Sequence, residues 1–276
     1  MFKHIRLVAV DLDDTVLRSD GSPSPFTAEV FRRLRDCQIS TCVLTARREA
    51  SAEAICGQLT CRGAAFYNGA VISADNSVIA SHSISWQTAK EFLSDTEGHP
   101  CSVSCEDGTV YTNFKTHHSI QLNCWSQLPR LRPLRIVLYR APQKLLEKLT
   151  AAPRAGLYMQ QLAHGDILAV SNLAKKEQAL KTLLEHWKLS PEEVVGFGDD
   201  ANDLGFLTLA GTGIAVQNAE GQIREKADIV CGSNDQDGPA QWLNRHVLEP
   251  LGATVPTVRS DHTSPHPSAG RPLPQR

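Results

Sequence analysis

Ile5-Arg6-Leu7-Val8-Ala9-Val10-Asp11-Leu12-Asp13-Asp14-Thr15 decides how this chain reads. Residues 5–10 form a short, mostly apolar run, which suits a strand buried in a parallel sheet. Open α/β sheets bind ligands beyond the carboxyl ends of such strands. Asp11 and Asp13 therefore fall where chemistry is usually done, two residues apart. Carboxylates this close repel each other, and both stay ionised only beside a cation or strong donors. A hard, oxygen-seeking ion such as Mg²⁺ meets that need, and Mg²⁺ held by one or two carboxylates usually serves a phosphate. An aspartate can also be the nucleophile of phosphoryl transfer, forming an aspartyl-phosphate. A second carboxylate can protonate the leaving oxygen and later activate water. The plainer alternative is an acidic turn after a strand, and the remainder of the chain decides between them.

The chain has 276 residues, 41% of them hydrophobic, enough for one large α/β domain or a core with a smaller one. At this size no disulfide staple is needed. The net charge is −2 with no basic patch or long charge block, so neither nucleic acid nor a membrane surface is implied as a partner. Nothing in the sequence specifies an oligomeric state. The eight cysteines form no C-x-x-C pair and no zinc-spaced set with histidine, which fits free thiols in a reducing cytoplasm. No run approaches the ~18 apolar residues of a membrane span. The N-terminal apolar stretch is too short for a signal peptide, so the expected location is cytoplasmic.

Strand and helix patterns alternate after the acidic loop. Ser24-Pro25 reads as an N-cap with Pro at the first helical position, and Phe26, Val30, Phe31 and Leu34 continue at helical spacing. Thr41–Leu44 reads as a second buried strand, residues 48–60 as a helix, and Ala64–Tyr67 as a third strand before the turn signal Asn68-Gly69. This opening implies a doubly wound sheet. The texture changes over residues 84–163, which read as an inserted α+β domain with a hairpin around Glu106-Asp107-Gly108. Alternation resumes with Ile167–Val170, a helix from about Lys175 to Leu189, and the strand Val194–Phe197. The expected division is thus a catalytic core of residues 1–83 and 164–250 and an insert of residues 84–163. Residues 251–276, Pro-rich and without apolar periodicity, read as a disordered tail.

Further strand and loop ends add polar groups suited to one reaction. Thr45 follows the second strand beside a helix N-terminus, a place that favours an anion. Lys175 and Lys176 open a helix, and Asp199, Asn202 and Asp203 follow the late strand. In order and spacing these stretches resemble the haloacid dehalogenase-like phosphatase superfamily in its Cof-type branch. Asp11-Leu12-Asp13-Asp14-Thr15 resembles that family's D-x-D-x-T, Thr45-Ala46-Arg47 its T-G-R, and Lys176-Glu177-Gln178-Ala179-Leu180 its K-G-x-A-L. Gly198-Asp199-Asp200-Ala201-Asn202-Asp203 resembles its G-D-x-x-N-D, and Asn68-Gly69-Ala70 and Ser233–Gly238 match two ancillary signatures.

The resemblance implies a doubly wound Rossmannoid α/β core with an inserted α+β cap. It implies Mg²⁺-dependent hydrolysis of a small phosphorylated metabolite, such as a sugar phosphate, through an aspartyl-phosphate. It makes Asp11 the nucleophile and Asp13 the general acid and base. Asp11, the Asp13 carbonyl and Asp199 would hold the metal, with Asp203 on a metal-bound water and orienting the lysine. Thr45, Lys176 and Asn202 would bind phosphoryl oxygens. Spacing to Ala179-Leu180 selects Lys176 over Lys175. Thr15 either closes the loop locally or reaches a ligand, Arg47 either pairs with a carboxylate or touches substrate, and Asp200 either ligates metal or faces solvent. Ala46 stands where the family usually has Gly, which would crowd the turn if φ there were positive. Asn113, Lys115, His117 and His118 are cap residues able to read the leaving group. The competing functions are a phosphomutase of the same superfamily and a phosphate-binding regulatory module without turnover.

Overall fold

A computed structural model describes residues 4–151, 154–162 and 165–256. Along the chain come β1 (Leu7–Val10), α1 (Pro25–Asp36), β2 (Ser40–Leu44), α2 (Glu49–Gln58), β3 (Gly63–Phe66), β4 (Val71–Ala74) and β5 (Ser77–Ser81). The insert holds α3 (Trp86–Asp95), β6 (Cys101–Cys105), β7 (Val110–Thr112), β8 (Ile120–Gln121), β9 (Pro133–Leu138), α4 (Gln143–Ala151), β10 (Leu157–Gln161) and β11 (Ile167–Ser171). Then follow α5 (Lys176–Trp187), β12 (Val194–Gly198), α6 (Leu204–Leu209), β13 (Thr212–Ala215), α7 (Gly221–Lys226), β14 (Ile229–Val230) and α8 (Gly238–Leu243).

The larger sheet runs β14-β13-β12-β1-β2-β3-β4-β5. Its first six strands are parallel, and β4 and β5 add an antiparallel hairpin at one edge. β1 is wholly buried because its two faces feed two cores: Val8 and Val10 point to one, Leu7 and Ala9 to the other. That double burial explains the continuous apolar run in the sequence. From β1 the chain winds outward through β2 and β3, then later through β12, β13 and β14 on the other side. The order therefore reverses between β1 and β12, where doubly wound sheets bind ligands. Helix α1 starts as its sequence predicts: the Ser24 side chain accepts from the Thr27 N–H, with Pro25 at the first helical position.

The smaller sheet runs β10-β11-β9-β6-β7-β8 and is antiparallel except for the β7–β8 pair. Here an expectation is corrected. Ile167–Val170 does not return the chain to the core sheet, because β11 pairs antiparallel with β9 and β10. The cap thus extends through Ser171 rather than stopping at residue 163. The reason lies in its two faces: Ile167 and Ala169 pack in the cap's own core, while Leu168 and Val170 join a core cluster of the larger unit. A strand buried on both faces looks like a parallel core strand in sequence, whichever sheet holds it.

The tail boundary also moves. Val255 is buried in the core, and its backbone exchanges two hydrogen bonds with the Asn244 side chain, at 2.7 and 2.9 Å. Residues 251–256 are thus tied down by one apolar anchor, too short a segment to show periodicity. The rest of the expected tail, 257–276, lies outside the described residues.

Candidate active site

The site forms at the carboxyl ends of β1 and β12. Asp11 leaves β1, and its N–H donates to the Phe197 carbonyl of β12 at 3.0 Å, locking the two strand ends together. Residues 12–16 then coil tightly, with Asp14 at φ 53°. Aspartate is among the few residues that accept this left-handed region readily. Asn218 donates to the Asp14 carbonyl at 2.7 Å and also accepts from the Asn234 N–H. Asn234 in turn donates to the Leu17 carbonyl, and Asp237 takes both Arg18 and Thr27. The Ser233–Gly238 stretch therefore buttresses the acidic loop.

At the end of β12, Gly198 lets Asp203 lie against the strand. A Cβ on Gly198 would come within 2.6 Å of the Asp203 Cβ. One Asp203 oxygen accepts from the Asp199 and Asp200 N–H groups at 3.0 and 3.2 Å, and the other faces Lys176. The Lys176 ammonium sits 2.6 Å from both Asp11 and Asp203 and is only 3% exposed as a residue. Lys175 is exposed, so burial selects the lysine. The start of α5 is held there by the Tyr67-Asn68-Gly69 turn, whose φ values are all positive. A Cβ on Gly69 would meet the Lys175 carbonyl at 2.8 Å, so only glycine admits this approach.

Carboxylate oxygens of Asp11, Asp199 and Asp203 lie within 4.8 Å of one another. Burial pushes the Asp11 carboxyl well up despite the opposing Lys176 charge. Burial likewise raises Asp199 to about 7, against a hydrogen bond from Thr15 that lowers it. Lys176 goes the other way from what burial alone dictates, because Asp11 and Asp203 hold its ammonium above its ordinary value. The ~400 Å³ cavity over these groups is also lined by Asp13, Asp14, Asp200 and Glu220, with Lys176 as the sole basic residue among those described. Such an excess of hard oxygen donors over one ammonium suits a divalent cation, and among the described residues no Cys or His joins the cluster.

The remaining candidates separate. Asp13 is 53% exposed at its side chain and forms a two-pronged ion pair with Arg47, with contacts of 2.5 to 3.1 Å. Arg47 thus pairs with a carboxylate. Thr15 donates to Asp199 at 2.7 Å rather than closing its own loop, a long-range contact that local spacing could not reveal. Asp200 caps the turn through the Ala201 N–H and faces Gln160 of the cap at 3.4 Å. Thr45 is fully buried, and its hydroxyl accepts from the Arg47 N–H at 3.1 Å. Its neighbour Ala46 lines the cavity instead. Ala46 does not have positive φ, so its Cβ does not strain the turn. Asn202 lines the cavity with a buried Oδ1 that has no partner, and buried Asn68 beside it leaves both amide atoms unpaired.

Sequence reasoning missed the cap residues over this cavity, which are Gln160, Gln161 and Leu162. Of the cap residues it named, Asn113 is a structural pin between the Cys101 N–H and the His99 carbonyl, and only His118 lines a described cavity, a different one.

The sequence profile described as haloacid dehalogenase-like hydrolase matches residues 8–243. The chain belongs to that family. This hydrolase is 26% identical over 285 residues to pyridoxal phosphate phosphatase YbhA of Escherichia coli, covering 88% of this chain and 99% of that one. It is 24% identical to the 5-amino-6-(5-phospho-D-ribitylamino)uracil phosphatase YitU of Bacillus subtilis, covering 87% and 97%. A solved haloacid dehalogenase-like hydrolase of B. subtilis superposes with a TM-score of 0.76 at 24% identity, covering 88% of this chain and all of that one. With full-length phosphatases as relatives, this haloacid dehalogenase-like hydrolase is an enzyme of the phosphatase type.

Proposed function

We propose that this hydrolase is a Mg²⁺-dependent phosphomonoesterase that works through an aspartyl-phosphate at Asp11. The observation carrying this reading is the Lys176 ammonium bridging Asp11 and Asp203 at 2.6 Å, beside Asp199, at the β1/β12 switch point. Asp11, Asp13 through its main-chain carbonyl, and Asp199 would hold the metal, with Asp203 orienting Lys176 and a metal-bound water. Bound there, Mg²⁺ supplies charge balance for the phosphoryl oxygens. Lys176 adds a fixed positive charge from below, and Thr45 and Asn202 are the proposed neutral donors to the same oxygens.

In the first half, an Asp11 oxygen attacks phosphorus as the ester P–O bond breaks, and a protonated Asp13 gives its proton to the leaving oxygen. In the second, the Asp13 carboxylate takes a proton from water, whose oxygen attacks phosphorus. The acyl-phosphate P–O bond breaks, releasing phosphate and restoring Asp11. Arg47 holds the Asp13 side chain through a two-pronged contact, which would have to open for Asp13 to serve as the acid. Gln160 and Gln161 place the cap over the cavity, where closure keeps unwanted water out.

The proposed substrate class is a small phosphorylated metabolite, and the proposed location is the cytoplasm, where eight free cysteines remain reduced. No described helix is long and apolar enough to cross a membrane. A screen of phosphorylated metabolites for released phosphate tests the reading. Hydrolysis that EDTA stops and Mg²⁺ restores supports it. Conversion to an isomeric phosphate without free phosphate indicates a phosphomutase instead. Failure of every phosphomonoester to react moves the non-catalytic binding module ahead.

A further inference from the structure

A second cavity, about 560 Å³, lies against the cap sheet on the side facing the core. Its character is opposite to that of the acidic cavity. Arg48, Arg135, Arg140 and His118 line it, with hydroxyls from Ser102 and Thr112 among its neutral groups. No Asp or Glu is among the described residues that line it.

Arg135 is the telling residue. It stands on β9 between Leu134 and Ile136, and strand alternation sends Ile136 and Leu138 into the cap core while Arg135 faces the other way. Its Nε is buried with no hydrogen-bond partner. Its Nη1 lies 3.4 Å from the Ala46 carbonyl, a long contact, and its guanidinium sits 5.3 Å from the centre of the Tyr67 ring. Burial holds it below its ordinary value, and the ionisable neighbours that act on it are Tyr67, Tyr139 and Arg48, none a carboxylate. Elsewhere Arg18, Arg47 and Arg62 each have an aspartate partner. A charge taken from water without a counterion is costly, and proteins pair it. Here none of the described residues supplies the pairing anion.

Position tells what that anion is. Ala46 lines the catalytic cavity, and its carbonyl is the atom that Arg135 reaches. Arg135, which lines the second cavity, thus reaches a residue that lines the first, the cavity that suits a metal and a phosphoryl group. We propose that the substrate's leaving group carries an anionic group of its own, a carboxylate or a second phosphate, and that Arg135, flanked by Arg48 and Arg140, binds it. The inference rests on the phosphatase reading and narrows its substrate class.

Matched substrate pairs test it: glucose 6-phosphate against 6-phosphogluconate for the carboxylate, and fructose 6-phosphate against fructose 1,6-bisphosphate for the second phosphate. Wild-type kcat/KM should favour the anionic member of at least one pair by roughly tenfold or more, the loss expected when one charge-assisted hydrogen bond is missing. The pair showing it identifies the anion. Arg135→Gln should collapse that ratio through KM. A structural strut stacked on Tyr67 would instead lower both members alike and leave the ratio standing, which overturns the proposal. Arg48 and Arg140 are exposed, so Arg48→Gln and Arg140→Gln keep the test alive should Arg135→Gln fail to fold. Each should shrink the ratio several-fold, and no change in either overturns the proposal. Calorimetric binding of the same pairs to Asp11→Asn protein separates the two readings. Tighter binding of an anionic member without wild-type turnover keeps the anion subsite and sinks the phosphatase. Turnover of the members with an uncharged leaving group, with no preference for the charged one, does the reverse.

Discussion

Asp199 offers a quantitative handle on the metal site. Burial raises its carboxyl to about 7 from an ordinary 3.8, against the opposing Thr15 hydrogen bond. A carboxyl whose folded value exceeds its unfolded one binds its proton more tightly when folded. Its contribution to stability is full below pH 4 and is lost as pH rises toward 7. The whole window is worth up to about 4 kcal/mol at 1.36 kcal/mol per pH unit. Between pH 5 and pH 8, with allowance for its partial exposure, about 1–3 kcal/mol remains. The assay is urea unfolding in EDTA at both pH values, for the wild type and for Asp199→Asn, which lacks the titration. Wild-type stability should fall relative to the variant by that amount on going to pH 8. Saturating Mg²⁺ should remove the relative fall, because a cation favours the ionised carboxyl. A wild-type-minus-variant difference that is flat in EDTA, or that is the same with and without Mg²⁺, would refute the reasoning.

Lys176→Ala should lower turnover far more than Lys175→Ala in a phosphate-release assay, since only the first removes the ammonium between Asp11 and Asp203. Gly69→Ala puts a Cβ 2.8 Å from the Lys175 carbonyl at φ 102°; denaturant melts should show a loss of about 1–3 kcal/mol, with kcat falling as the start of α5 shifts. Truncation after Glu249 removes buried Val255 and its two hydrogen bonds to Asn244, so unfolding should reveal a loss of about 2–4 kcal/mol.

Residues whose chemistry depends on local spacing were legible in the sequence. The run before Asp11 is apolar because both faces of β1 are buried, and that marked both the parallel core and the strand end carrying the nucleophile candidate. Lys176 could be chosen over Lys175 by its spacing to Ala179 and Leu180, as the family resemblance implies, and its burial at the start of α5 agrees. What spacing cannot encode is the partner across the fold. Thr15 finds Asp199 at a separation of 184 residues, and Gln160 reaches the site only because β10 and β11 place the cap over it. The same limit hides which sheet holds β11: burial on two faces reports the neighbours' polarity and not their identity. Arg135 carries no such signal in the sequence. Only three dimensions reveal that no carboxylate among the described residues answers it.

The central claim is covalent transfer to Asp11. It is tested most directly by acid-quenching the enzyme during turnover with Mg²⁺, reducing with borohydride and sequencing the peptides by mass spectrometry. An acyl-phosphate at Asp11 is reduced to homoserine at that position, in amounts that depend on substrate, and Asp11→Asn protein should be inactive and unlabelled. Homoserine at Asp13 or Asp199 instead, or full turnover by Asp11→Asn, would contradict the account.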